Sequence, residues 1–262
     1  HIQDSVLKIL AEFDSVCLGD LPVDSQMSRF DKKYIFPGFL IPEIVRKATG
    51  TYKVLEIANK RLLEYRTQYF DTPQYNMYHD HHNGKGERYK IRLREYVDSK
   101  DTFLEIKHKT NKGLTIKQRI VVPEVSIYGE NARYLIRTTT PYSTDDLMPS
   151  LSTEFKRFTL LNNKSWERIT LDLCLDVWQN GEKHTLPWLG IAEVKKSNPH
   201  VKVMFKDILS DSNIHPRNFS KYCTGLAYLN RNIKINNFKA NLLILKNFEN
   251  EHYNHIEHLA GN

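Results

Sequence analysis

The chain has 262 residues, 40% of them hydrophobic, enough to bury a core in one large domain or two small ones. Its 38 Lys and Arg against 31 Asp and Glu leave a formal charge of +7, which favours polyanionic partners such as nucleotides, inorganic phosphates, nucleic acid or anionic membranes. Cys17, Cys174 and Cys223 are odd in number, widely spaced and without a CxxC pair, so neither a disulfide framework nor a thiolate zinc site is signalled and a reducing compartment fits best.

In chain order, Val6, Leu7, Leu10 and Phe13 recur at helical spacing and predict a short amphipathic helix before the break at Gly19 and Pro22. SRFDKKYIF (28–36) sets Arg29, Asp31 and Lys33 against Phe30 and Tyr34 and reads as a strand, with a short helix from Pro42 to Thr49. TYKVLEIA and RLLEYRTQYFD have strand content, and Asn59-Lys60 between them predicts a hairpin turn. A helical turn is expected after Pro73, where Tyr69, Phe70 and Asp71 organise the strand end.

RYKIRLREY (88–96) then places Arg88, Lys90, Arg92 and Arg94 on one face of a strand and Tyr89, Ile91 and Leu93 on the other. TFLEIKHK repeats the pattern with Glu105, Lys107 and Lys109 against Leu104 and Ile106, and TIKQRIVV with Lys117 and Arg119 against Ile116 and Ile120. Residues 124–150 read as a mixed, helical insertion. Strand character returns in STEFKRFTL, ERITLDLCLDV and LPWLGIAEVKK, whose ionic positions are Arg157, Arg168 with Asp172, and Glu193 with Lys195. From 201 onward the pattern is helical.

Like charges opposed across a ladder destabilise it. Their repetition on strand after strand therefore needs either a broad basic surface or a barrel with an ionic interior and helices outside. The barrel makes sense if a polyanion fills it, because buried cations need partners and phosphates supply them. Tyr89 and Phe103 are assigned to the apolar side, which favours a ligand with phosphates and little need for base stacking. Adjacent histidines on a short turn seldom converge on one ion, so His79, Asp80, His81 and His82 are not read as a metal site. His252, His255 and His258 are read as an exposed terminal helix. With no membrane-length apolar run and no signal-peptide pattern, a soluble cytoplasmic protein is expected, with anything upstream of His1 left open.

The ordered segments RFDKKY, YFDTPQYNMY, RYKIRLREY, FLEIKHK, IKQRI, TEFKRF, ERITLD, IAEVKK and RNFSKY resemble the VTC domain of vacuolar transporter chaperone polyphosphate polymerases, within the triphosphate tunnel superfamily. The resemblance implies an α+β fold built on an antiparallel β-barrel, a tunnel with a basic lining and flanking helices. It spans residues 28–230, between an N-terminal helical segment (1–27) and a C-terminal helical tail (231–262) on or beside the tunnel. It implies catalytic roles for Arg92, Arg94, Lys107, Arg157, Arg168 and Glu193, with Glu193 holding Mn²⁺ or Mg²⁺. Arg29, Lys33, Lys117, Arg217 and Lys221 match phosphate-binding positions, while Lys90, Lys109 and Arg119 join them by parity alone.

The activity so implied is transfer of the ATP γ-phosphate to inorganic polyphosphate. Triphosphatase activity and non-catalytic polyphosphate binding are the alternatives. Nucleic acid is not an expected partner, and a membrane-protein partner for polymer export stays open. The superfamily's ExExK signature is absent from the first strand, where RFDKK offers only Asp31, and Arg217 stands where Lys is usual.

Overall fold

The computed structural model describes residues 2–20, 30–162, 164, 167–196, 203–230 and 232–260. Eleven strands form one sheet: β1 (Ser15–Val16), β2 (Phe30–Pro37), β3 (Lys53–Leu55), β4 (Leu63–Asp71), β5 (Arg88–Tyr96), β6 (Asp101–Lys109), β7 (Thr115–Val121), β8 (Met148–Asn162), β9 (Glu167–Gln179), β10 (Glu182–Leu186) and β11 (Leu189–Lys196). The main path runs β2-β11-β9-β8-β4-β5-β6-β7, antiparallel at every step. Helices α1 (Ile2–Leu10), α2 (Ile41–Ala48), α3 (Asn76–His82), α4 (Glu130–Thr139), α5 (Met204–Asp211), α6 (Lys221–Leu229) and α7 (Lys239–Ala260) pack around and into it. Among the described residues no helix is long and apolar enough to cross a membrane.

The expected pairing of residues 51–58 with 61–71 does not form. A tight turn is present, with Ala58 and Asn59 at positive φ and reciprocal Ile57–Lys60 backbone bonds of 2.9 Å. However, β3 leaves that turn to pair with β8, while β4 lies between β8 and β5. Burial decides the partner: Val54 joins the core formed with α1 and α2, and Leu55 packs with Val16 and Leu161.

The path is strongly curled. Lys33 of β2 lies within electrostatic reach of Lys107 of β6, six strand steps away. A flat sheet would separate them by about 29 Å at the usual inter-strand spacing. Among the described residues β2 and β7 do not pair with each other, so the tunnel is a rolled sheet with an open seam.

Period-two alternation sends each strand's two side-chain sets to opposite walls. Outside, α1, α2 and α5 cover Tyr34, Phe36, Phe158, Leu160, Ile169, Leu171, Ala192 and Val194. Farther round, α4 covers Ile91, Leu93, Leu104 and Ile106 with Ala132 and Ile136. The expected basic lining occupies part of the inner wall. One stretch is apolar, where Ile35, Leu175, Val177, Leu189 and Ile191 pack with Tyr222, Cys223 and Leu226 of α6. This helix fills part of the bore as a plug, and the ionic side chains occupy the remainder.

Candidate active site

Strand register gathers the ionic residues on the inner wall. Lys33 stands opposite Glu193, Asp31 opposite Lys195 and Lys195 opposite Arg168. Arg157 pairs with Asp172, Arg92 with Glu105 and Glu105 with Arg119. Lys90 faces Lys107, which faces Lys117, and Arg88 faces Lys109. Each pairing keeps side-chain parity, so residues distant in sequence share one concave face.

Carboxylates divide this field of cations. Glu105 accepts from Arg92 at 2.6 Å and lies 4.0 Å from Arg94. Burial alone would raise its pKa, but Arg92, Arg94 and Arg119 outweigh that and bring it down to about 2. Asp172 accepts from Arg157 Nε at 2.5 Å and Nη2 at 2.9 Å, and also from Lys221 at the start of α6. Burial again opposes, yet Arg157 and Lys221 hold Asp172 below the usual carboxylate range. The Lys221 ammonium also sits 4.2 Å from the Phe155 ring centroid.

Between β2 and β11, Asp31 and Glu193 share a side-chain hydrogen bond. Burial and the Glu193 charge push Asp31 up, against the pull of Lys195 and Lys33. Burial also works against the Glu193 charge, but Lys195, Lys33 and Arg157 keep this carboxylate ionised, far below its usual range. Among the described residues no group of three or more His, Cys, Asp or Glu side chains gathers to hold a metal. Two neighbouring carboxylates do suit a hard divalent cation whose other ligands are water and substrate phosphates. The residues therefore fit Mg²⁺ or Mn²⁺.

Lysines crowd the other side of the bore. Lys90 donates to Ser220 Oγ at 2.9 Å, and burial together with Lys33, Arg92 and Arg88 lowers its pKa. Lys107 remains accessible to solvent. Desolvation among protein atoms, then Lys33, Lys90 and Lys117, lowers it to about 8. Arg94 has a buried Nε with no hydrogen-bond partner, and burial and Arg92 depress its pKa. Such a lining is short of negative charge and of acceptors.

The structure thus brings together Lys33, Lys90, Arg92, Arg94, Lys107, Lys109, Lys117, Arg119, Arg157, Arg168, Glu193 and Lys221. Arg29 lies outside the described residues. Arg217 has an exposed side chain, and its contact with the tunnel strands is through its backbone N–H, which donates to Lys33 O at 2.8 Å. That bond, with the Tyr34–Pro216 bridge, runs the segment before α6 along the edge of β2.

Phe103 requires a correction. It faces Arg94 across the ladder and shares the parity of Glu105 and Lys107, so it lies on the ionic wall, with Arg119 4.8 Å from its ring centroid. Its hydrophobicity pointed one way and its position in the strand another, and position decides. Sequence reasoning weighed His81 only as a metal ligand and gave it no place in the tunnel. On α3 it is half-buried near Lys90, Arg88, Lys107 and Lys109, and desolvation and those charges push its pKa down to about 2. The alternation of β5 and β6 could not flag a side chain carried by a helix. Asp71, in contrast, organises the end of β4 as expected, accepting from the backbone N–H groups of Thr72, Met77 and Tyr78.

No curated protein matches the sequence. Solved structures with a similar course include a candidate adenylate cyclase from Bacillus halodurans, 15% identical, covering 72% of this chain and 92% of its own, at a TM-score of 0.48. Another is a Hippeastrum protein described as a candidate adenylyl cyclase with dominant triphosphatase activity, 12% identical, covering 74% and 93%, at 0.47. A third, from Pyrococcus horikoshii, is 16% identical, covering 76% and 95%, at 0.43. The model of the VTC domain family matches residues 28–230, the stretch that contains the rolled sheet from β2 and the plug helix α6. The chain belongs to the VTC domain family.

Proposed function

We propose that this chain is an ATP-dependent polyphosphate polymerase, transferring the terminal phosphoryl group of ATP to the end of an inorganic phosphate chain held in the tunnel. The observation that carries the reading is the convergence of Arg92, Arg94, Lys107, Arg157 and Arg168 on one concave wall with the Asp31–Glu193 pair. Phosphoryl transfer passes through a loose transition state, so charge neutralisation and in-line placement carry most of the catalysis. The forked guanidinium groups grip phosphate oxygens, and Lys107 adds a mobile point charge. Glu193, with Asp31 beside it, would hold Mn²⁺ or Mg²⁺, which neutralises charge on the β- and γ-phosphates when bound. The acceptor is a phosphate oxygen, already ionised at neutral pH, so no covalent nucleophile is needed. Lys33, Lys90, Lys109, Lys117, Arg119 and Lys221 line the path of the chain.

Incubation with ATP and Mn²⁺ should yield acid-labile polymer on a gel. Free phosphate without polymer would instead indicate a triphosphatase. Glu193→Gln should abolish metal-dependent turnover while leaving the circular dichroism spectrum unchanged, and an undiminished rate would remove Glu193 from the mechanism.

A further inference from the structure

Holding phosphates leaves one feature of the inner wall without a role. Four aromatic rings run along it toward the β5–β6 turn. Phe155 and Tyr65 stack with centroids 5.4 Å apart, Tyr65 meets Tyr96 at 5.0 Å, and Tyr96 meets Phe103 edge-on at 5.5 Å. Phe155 and Tyr65 are buried at 1% and 7% exposure, so packing accounts for them. Tyr96 and Phe103 are half-exposed at the end of the row.

Their neighbours are phosphate-binding groups. Arg94 stands directly across the ladder from Phe103, and the Arg92–Glu105–Arg119 row is the next step on the same face, about 7 Å along the strands. Arg119 lies over the Phe103 ring, while Arg94 and Arg157 lie 5.9 and 5.2 Å from the Tyr65 centroid. At the other end of the same ladder the inner wall carries Arg88, Lys90, Lys107, Lys109 and Lys117, with no aromatic among them. One end of the ionic groove therefore offers tyrosine and phenylalanine π-faces beside cations, and the strands at the other end offer cations alone, with the His81 imidazole of α3 near them.

We propose that Tyr96 and Phe103 form a nucleobase-stacking subsite, which seats a nucleoside triphosphate with its base at the β5–β6 turn and its phosphates on Arg92 and Arg94. This rests on the reading of ATP as the phosphoryl donor. It gives the tunnel a direction: nucleoside at the aromatic end, bare phosphate chain toward Arg88 and Lys109. Stacking accepts any base, so ATP and GTP should bind comparably.

Titration calorimetry in metal-free buffer, where turnover does not intervene, compares ATP with inorganic tripolyphosphate. Phe103→Leu and Tyr96→Leu should each weaken ATP about tenfold and change tripolyphosphate by less than about twofold, since only ATP presents a base. Phe103→Trp keeps a π-face and should retain ATP affinity, which separates stacking from packing. Equal losses for both ligands, or unchanged ATP binding, would overturn the subsite and leave the phosphate tunnel standing. Failure of the unmodified protein to bind tripolyphosphate would overturn the tunnel reading as well.

Discussion

Asp172→Asn keeps the shape of the side chain and removes one negative charge from between Arg157 and Lys221. The carboxylate is 3% exposed and accepts two guanidinium hydrogen bonds and one from the ammonium. Taking away the shared partner leaves two cations facing each other out of bulk water. Breaking a buried pair this way costs about 3–5 kcal/mol, a large share of the ~5–15 kcal/mol that holds a domain folded. At pH 7 the urea midpoint should fall by roughly 1–2 M.

The pH dependence has a definite sign. Asp172 is held below its unfolded value, so its stabilisation is complete above the ordinary carboxylate range and is lost as pH falls through the folded value. The gap between variant and parent should therefore narrow in acid. Binding should move the other way. One less negative charge about 6 Å from a phosphate is worth up to ~3 kcal/mol at an effective dielectric of about 20, so tripolyphosphate affinity should rise, by up to about a hundredfold. Calorimetry beside the urea titration reads both effects. A variant as stable as the parent, or one that binds tripolyphosphate more weakly, would refute the view that this carboxylate neutralises Arg157 and Lys221 in competition with phosphate.

Lys107, lowered to about 8, should make tripolyphosphate affinity fall between pH 7 and pH 9 as its ammonium loses the proton. Lys107→Arg stays charged over that range and should flatten the profile; an unchanged slope would assign the titration elsewhere. Stability of the ligand-free protein should rise between about pH 8 and the ordinary lysine value of 10.5, because over that window the unfolded chain holds more protons. Asp71→Ala removes a fully buried acceptor from three backbone N–H groups and the Tyr222 hydroxyl. Orphaned donors cost about 1–3 kcal/mol each, so melting should drop by roughly 10 °C, and a drop below about 2 °C would contradict the capping role.

The inner wall was legible wherever a strand's own alternation ran unbroken. Arg92, Arg94, Lys107 and Glu193 follow from period two and land on one face. Phe103 shows the limit of reading by residue type, since an apolar ring standing at an ionic position still points where its place in the pleat sends it. The pairing of Glu105 with Arg92 and of Asp172 with Arg157 depends on register between strands, which no single strand encodes. The placement of α6 is harder still. Residues 217–229 announce a helix, with Ser220 capping it by accepting from the Cys223 N–H, but the same amphipathic pattern would serve a helix packed outside the sheet. Only the apolar inner-wall positions of β2, β9 and β11, assembled in three dimensions, make room for it in the bore.

A rolled sheet whose first and last strands do not join is mechanically a split ring. The first residues of α6 act as a strut across it: Ser220 accepts from Lys90 on β5, and the next residue, Lys221, reaches Asp172 on β9. Mutual repulsion among the lining cations would push such a ring open, and a polyanion bound along it, as proposed, would draw the walls together. Bore width would then be a charge-controlled coordinate, with the strut setting its rest position and β7 as the lip that travels, since Pro216 and Arg217 hold the edge of β2. Hydrogen exchange along β7 would register the tightening as a phosphate chain fills the ring.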